Sequence, residues 1–124
     1  MYIKHELNLD SITKNYYSCN LSKGNNNITI DFGNVKLFFN EYLILKCGYP
    51  NEEIYMHYDY YTQGSMRKYV LYEIADSNWV KELNEMNKAH PRHSDILFEK
   101  DRHFIILFED EVFECIASDF SINN

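Results

Sequence analysis

From Met66 to Ile74 the side chains alternate with the two-residue period of a β-strand. Tyr69, Leu71 and Glu73 fall on one face and Val70, Tyr72 and Ile74 on the other. The period then changes. Trp79, Val80, Leu83 and Met86 recur at helical spacing behind Asp76 and Ser77, either of which suits an N-cap. Lys81 and Glu85 make an i, i+4 pair on the opposite, solvent side. Pro91 stops the helix, because a proline pushes the preceding residue out of helical geometry. One principal helix is therefore predicted over residues 77–90, and Ser94 to Glu99 adds at most a short turn.

The clearest strand pair comes last. His103–Phe108 and Val112–Ala117 are β-rich and flank Glu109-Asp110-Glu111. With Glu109-Asp110 as a two-residue turn, Phe104, Ile106 and Phe108 share a face with Phe113 and Cys115. The other face carries Ile105, Leu107, Val112 and Ile116, with Glu114 intruding. Glu-Asp is poor chemistry for a tight turn, so a four-residue loop is the alternative. Two apolar faces predict a central pair, covered on one side by the Trp79 helix. Upstream, Tyr16–Leu21, Ile28–Phe32 and Val35–Leu45 read as strands. Ser22 to Asn27 forms a turn cluster between the first two, and Gly33-Asn34 suits a hairpin turn after the second. The expectation is one α+β domain over residues 1–124, a mainly antiparallel β-sheet packed against one principal helix.

Composition changes this picture little. The 124 residues are 45% hydrophobic and 25% charged, with two prolines and four glycines, too few for a flexible interdomain linker. The formal charge of −7 argues against nucleic acid, whose phosphates need a basic surface. The longest apolar run, Phe104 to Phe108, has five residues, so a membrane partner is not expected. Cys19, Cys47 and Cys115 are odd in number and hold no C-x-x-C pair, which disfavours a disulfide scaffold or zinc ribbon. With no apolar stretch behind the N-terminus, a cytoplasmic chain with reduced thiols is expected.

Two features go beyond a bland domain. Tyr49, Tyr55, Tyr58, Tyr60 and Tyr61 crowd a segment that also carries Asn51, Glu52, Glu53 and Asp59. Tyrosine covers much contact area while keeping a polar tip, so the segment resembles a recognition loop. An edge strand rich in tyrosine for its β-propensity is the competing account. The acids, in turn, crowd the C-terminus: Glu109, Asp110, Glu111, Glu114 and Asp119 follow Arg102, after which no Lys or Arg occurs. Such a surface steers a basic protein partner, or simply solubilises.

Catalytic and metal chemistry is less well supported. His90-Pro91-Arg92-His93 has H-x-x-H spacing, and with His103 it invites a metal, but Pro91 destroys the helical geometry that would align two imidazoles. No metal or other cofactor is expected. A hydrolytic site can be drawn from His57 or His103 with Glu114 or Glu53, yet no G-x-S-x-G, phosphate loop or H-E-x-x-H accompanies it. Cys115 and His103 point to opposite faces of the hairpin, so Cys115 reads as a core residue rather than a nucleophile.

From Gly48 to Ala117 the chain resembles a family of small uncharacterised bacterial proteins. The pattern is G-G-P-N-[DE]-E, S-x-W, N-x-x-H-P-x-H and a hairpin H-[FY]-x-F-x-F-x-D-x-x-F-E-C-x-A. Here it reads Gly48-Tyr49-Pro50-Asn51-Glu52-Glu53, Ser77-Asn78-Trp79, Asn87 through His93, and His103-Phe104 through Phe113-Glu114-Cys115-Ile116-Ala117. The resemblance implies no activity. Where that family has a His-x-His-Pro stretch this chain has Met56-His57-Tyr58-Asp59, a single shifted histidine.

The leading expectation is a protein-binding module of the inhibitor or immunity type, presenting the Tyr-rich segment and acidic hairpin to another protein, with enzymatic activity left open. Its candidate residues are Asn51, Glu53, Tyr55, His57, Tyr58, Tyr60, Tyr61, His90, His103 and Glu114. The alternatives are a small ligand- or metal-binding or hydrolytic protein using Asn51, Glu53, His90 and His103, and a structural subunit of an assembly. Association into a homo-oligomer stays open.

Overall fold

The computed structural model of the chain describes residues 2–8, 20–32, 36–48, 69–91, 99–108 and 111–123. Among the described residues, nine strands and one helix follow in the order β1 (Tyr2–Asn8), β2 (Leu21–Lys23), β3 (Asn27–Asp31), β4 (Lys36–Asn40), β5 (Ile44–Gly48), β6 (Val70–Ile74), α1 (Asn78–Asn87), β7 (Arg102–Leu107), β8 (Val112–Ala117) and β9 (Asp119–Asn123). The fold is α+β and mostly sheet, as the periodicity predicts. The strands form two antiparallel sheets rather than one, ordered β1-β6-β7-β8-β5 and β2-β3-β4-β9.

The two sheets bury a shared core between them. Alternation puts Ile28, Ile30, Leu37 and Phe39 of the smaller sheet against Leu71, Phe104, Ile106, Phe113 and Cys115 of the larger. The Phe39 ring lies 5.3 Å from those of both Phe104 and Phe113. A second apolar layer, Val70, Tyr72, Ile74, Ile105, Leu107 and Val112, occupies the outer face of the larger sheet. Both faces of the β7–β8 pair are therefore buried, and their residues divide between the faces as expected. Phe108 N–H donates to the Glu111 carbonyl at 2.9 Å, beyond the Leu107–Val112 pair.

Several expectations are corrected. Val35–Leu45 is not one strand but parts of two, β4 and β5, in different sheets. The break is at Glu41, whose φ of 52° lies in the left-handed region and turns the chain from one sheet to the other. β1 and β9 were not anticipated. β1 pairs with β6, from Tyr2 opposite Ile74 to Asn8 opposite Val70, and β9 pairs with β4. Of the two N-cap candidates for the helix, Ser77 takes the role, as one of the two expected. Lys81 pairs with Asp76, and Glu85 with Lys88, instead of Lys81 with Glu85. Met86 is 73% exposed, so the apolar stripe on α1 ends one turn early, at Leu83. No acid lies in the first turn and no base in the last, which leaves packing and the Ser77 cap to hold the helix.

Most of the Tyr-rich segment, including Asn51, Glu53, Tyr55, His57, Tyr58, Tyr60 and Tyr61, lies outside the described residues. So do residues 16–19, Gly33-Asn34, His93, residues 94–98 and Glu109-Asp110. No helix among the described residues is long and apolar enough to cross a membrane.

Candidate functional site

The polar residues of the outer face converge under the helix. In the β7–β8 register His103 stands opposite Ile116 and Ile105 opposite Glu114, which makes His103 and Glu114 diagonal neighbours on one face. His103 Nε2 and Glu114 Oε1 are 2.8 Å apart. On its other side, His103 Nδ1 lies 2.8 Å from Ser77 Oγ. Ser77 is held in extended geometry as the N-cap, and its Oγ accepts the Val80 N–H at 3.2 Å. All three are buried: Ser77 is 7% exposed, His103 3% and Glu114 1%. The Trp79 ring stands edge-on to the imidazole at 5.2 Å, and Lys46 Nζ lies 4.1 Å from the Trp79 ring centre. Lys46 is also the cross-strand neighbour of Glu114 on β8.

With Glu114 ionised and His103 neutral, one arrangement of protons satisfies these contacts. An ionised Glu114 accepts from Nε2–H, which leaves Nδ1 as the acceptor for the Ser77 hydroxyl. Oγ then donates to Nδ1 and accepts from Val80, so each of these contacts uses a donor and an acceptor.

A cleft of about 250 Å3 opens beside this chain, where the start of α1 meets the end of β6 and the start of β7. Ser77 and His103 both line it, together with Asp76, Lys81, Asp101 and Arg102; Glu114 lies behind, beneath the imidazole. Its charges are mostly committed. Arg102 holds Glu73 through two hydrogen bonds of 2.7 and 3.0 Å, which push its pKa up, and Lys81 bonds Asp76 at 2.8 Å, holding that carboxyl below the ordinary range. Burial pushes the Asp101 carboxyl above it. Among the described residues no cluster of three or more His, Cys, Asp or Glu is arranged to hold a metal.

A different geometry marks the opposite end of the larger sheet. Gly48 of β5 stands opposite Val112, Leu107 stands opposite Val112, and the Tyr69 N–H donates to the Leu107 carbonyl at 2.8 Å. Gly48 and Tyr69 therefore stand on the two sides of the β7–β8 pair at the end that carries its connecting residues. The β7–β8 loop carries the acids, and Glu111 Oε2 accepts from Cys47 Sγ at 3.5 Å.

Of the residues singled out from sequence, His103 and Glu114 are brought together. His90 is apart from them, exposed beyond the C-terminal end of α1, a helix about 15 Å long. The sequence marks Ser77 only as a cap, because no short motif links positions 77, 103 and 114. The signal that does exist is Glu114 intruding into an apolar row, since a buried carboxylate demands a partner and His103 shares its face. Comparison with family models, curated proteins and solved structures gives no match for this chain.

Proposed function

We propose that this chain is a protein-binding module of the inhibitor or immunity type, whose binding surface combines the Tyr-rich segment with the acidic β7–β8 loop and whose partner is a basic protein. One observation supports this reading. Gly48 and Tyr69, which flank the segment, both border the strand pair that carries Glu109, Asp110 and Glu111. Aromatic residues are enriched at protein interfaces, and a neighbouring acidic strip steers a basic partner to them. The net charge of −7 suits a basic partner.

Native mass spectrometry of the protein recovered gently from its host identifies the partner, and titration with that partner tests the surface. Tyr58→Ala, Tyr60→Ala and Tyr61→Ala together are expected to weaken binding at least about 30-fold while leaving the melting transition in place. Glu109→Gln with Asp110→Asn and Glu111→Gln should slow association and flatten its salt dependence. Affinity unchanged by both sets rules this surface out.

A further inference from the structure

We propose that the cleft beside Ser77 is a hydrolytic acyl-transfer site for short-chain acyl esters, with Ser77 as nucleophile, His103 as general base and Glu114 as the residue that positions the imidazole. The site lies at the end of the larger sheet opposite Gly48 and the acidic loop, so it stands or falls independently of the binding surface.

Four observations carry it. Ser77 Oγ, the His103 ring and Glu114 form an unbroken chain with 2.8 Å between successive polar atoms, the spacing that nucleophile, base and orienting carboxylate require. Of the three, the two that must touch a substrate, Ser77 and His103, line the cleft, and Glu114 does not. Glu114 is 1% exposed beneath the imidazole, where it fixes the tautomer and stabilises the cation formed when His103 takes a proton. Ser77 also sits at the N-terminus of α1, where the Val80 N–H and the helix dipole favour developing negative charge on Oγ. The serine meets Nδ1 and the carboxylate meets Nε2; the chemistry asks only that one ring nitrogen accept while the other donates.

The reaction balances with water alone. Ser77 Oγ bonds to the ester carbonyl carbon as its proton passes to His103 Nδ1. The carbon–oxygen bond to the leaving alcohol breaks, and that alcohol takes the proton. Water then attacks the acyl-serine, its proton moving through Nδ1 back to Oγ, and the carboxylic acid is released. At about 250 Å3 the cleft falls below the ~300–1,000 Å3 typical of drug-sized ligands, which limits the acyl chain to a few carbons. Its cations are already paired with Glu73 and Asp76, so a neutral acyl group is favoured over an anionic one.

Treatment of the folded protein with a fluorophosphonate, followed by peptide mapping, tests this directly. A single adduct on Ser77 is expected, along with hydrolysis of p-nitrophenyl acetate or butyrate that Ser77→Ala abolishes. Glu114→Gln should slow labelling by about 10^4-fold and shift its pH profile while the melting transition survives, a change that a purely structural carboxylate would not produce. The His103 Nδ1 resonance in ¹⁵N NMR should be that of an unprotonated nitrogen. Wild-type protein that is folded yet unlabelled at Ser77, or a protonated Nδ1 in the resting state, overturns the proposal whether or not the variants fold.

Discussion

The Asn40 carbonyl accepts two hydrogen bonds from Ser118, one from its N–H at 3.0 Å and one from its hydroxyl at 3.1 Å. These bonds tie together two of the places where the chain changes sheets, β4 to β5 and β8 to β9. Between the pairs Asn40–Asp119 and Ile44–Ile116, three residues on one side oppose two on the other. The extra residue makes a bulge, and Glu41 with φ 52° supplies the left-handed step. Glu41→Val should lower stability by about 2 kcal/mol in denaturant unfolding, since a β-branched side chain is poorly tolerated at positive φ. Glu41→Gly should leave the midpoint nearly unchanged, because relief of the backbone offsets loss of the exposed ion pair with Lys100. Equal losses for the two variants would show that the side chain, not the bulge, matters at the corner.

Arg102 links the sheets at another point. Its guanidinium grips Glu73 on β6 through two bonds and reaches Asp119 on β9 at 3.0 Å, while its plane lies over the Phe104 ring. Lysine keeps the charge but not the fork, so Arg102→Lys should cost about 1–2 kcal/mol in denaturant unfolding. Asp119→Asn should cost less than Arg102→Lys, since that carboxylate is mostly exposed and its arm of the clamp is screened by solvent. A lysine variant as stable as the native chain would mean that the forked geometry contributes nothing.

Asp101 gives a pH dependence of defined sign. Burial raises its carboxyl above the ordinary value, with Lys100 opposing and Glu41 reinforcing the shift. A carboxyl whose pKa is higher folded than unfolded binds more protons in the folded state. Its ionisation therefore destabilises the fold as pH rises through the window above the unfolded value of about 3.9. Asp101→Asn should stabilise the protein at neutral pH, with the gain vanishing as pH falls below that window. Melting curves across pH for the two proteins check this; a gain that grows towards acid would reverse the assignment.

Local patterns in the sequence were informative, and long-range pairing was not. Alternation assigned Phe104, Ile106, Phe113 and Cys115 to one face and Ile105, Leu107, Val112 and Glu114 to the other, because a period of two fixes faces once the register is set. The Trp79 helix was legible from its stripe and from Pro91. Period two does not say which sheet a strand joins. Phe38-Phe39 and Ile44-Leu45 flank a single polar interruption, so a corner that depends on the φ of Glu41 looked like continuous strand. β1 carries an alternating Ile3, His5, Leu7 pattern, but its pairing with β6 spans more than sixty residues and leaves no local trace. Ser77 illustrates the same limit: its cap role is local and was foreseen, whereas its bond to His103 depends on how the helix docks.

The last prediction concerns two thiols in contrasting surroundings. Cys115 is enclosed in the shared core with no exposed surface, and burial, with Glu114 beside it, raises its pKa well above the ordinary range. Cys47 lies on edge strand β5 and is exposed. The reactive species is the thiolate, so both access and ionisation protect Cys115. Brief maleimide treatment of the native protein at mildly alkaline pH, followed by peptide mapping, should therefore modify Cys47 and spare Cys115. Adding denaturant should bring Cys115 to the rate of a free thiol. Because Cys115 packs between the sheets, its protection also reports their separation: Phe39→Ala, which opens a cavity facing it at a cost of about 3–5 kcal/mol, should speed its labelling while leaving Cys47 unchanged. Rapid modification of Cys115 in the native chain would contradict the packing of β4 over β8.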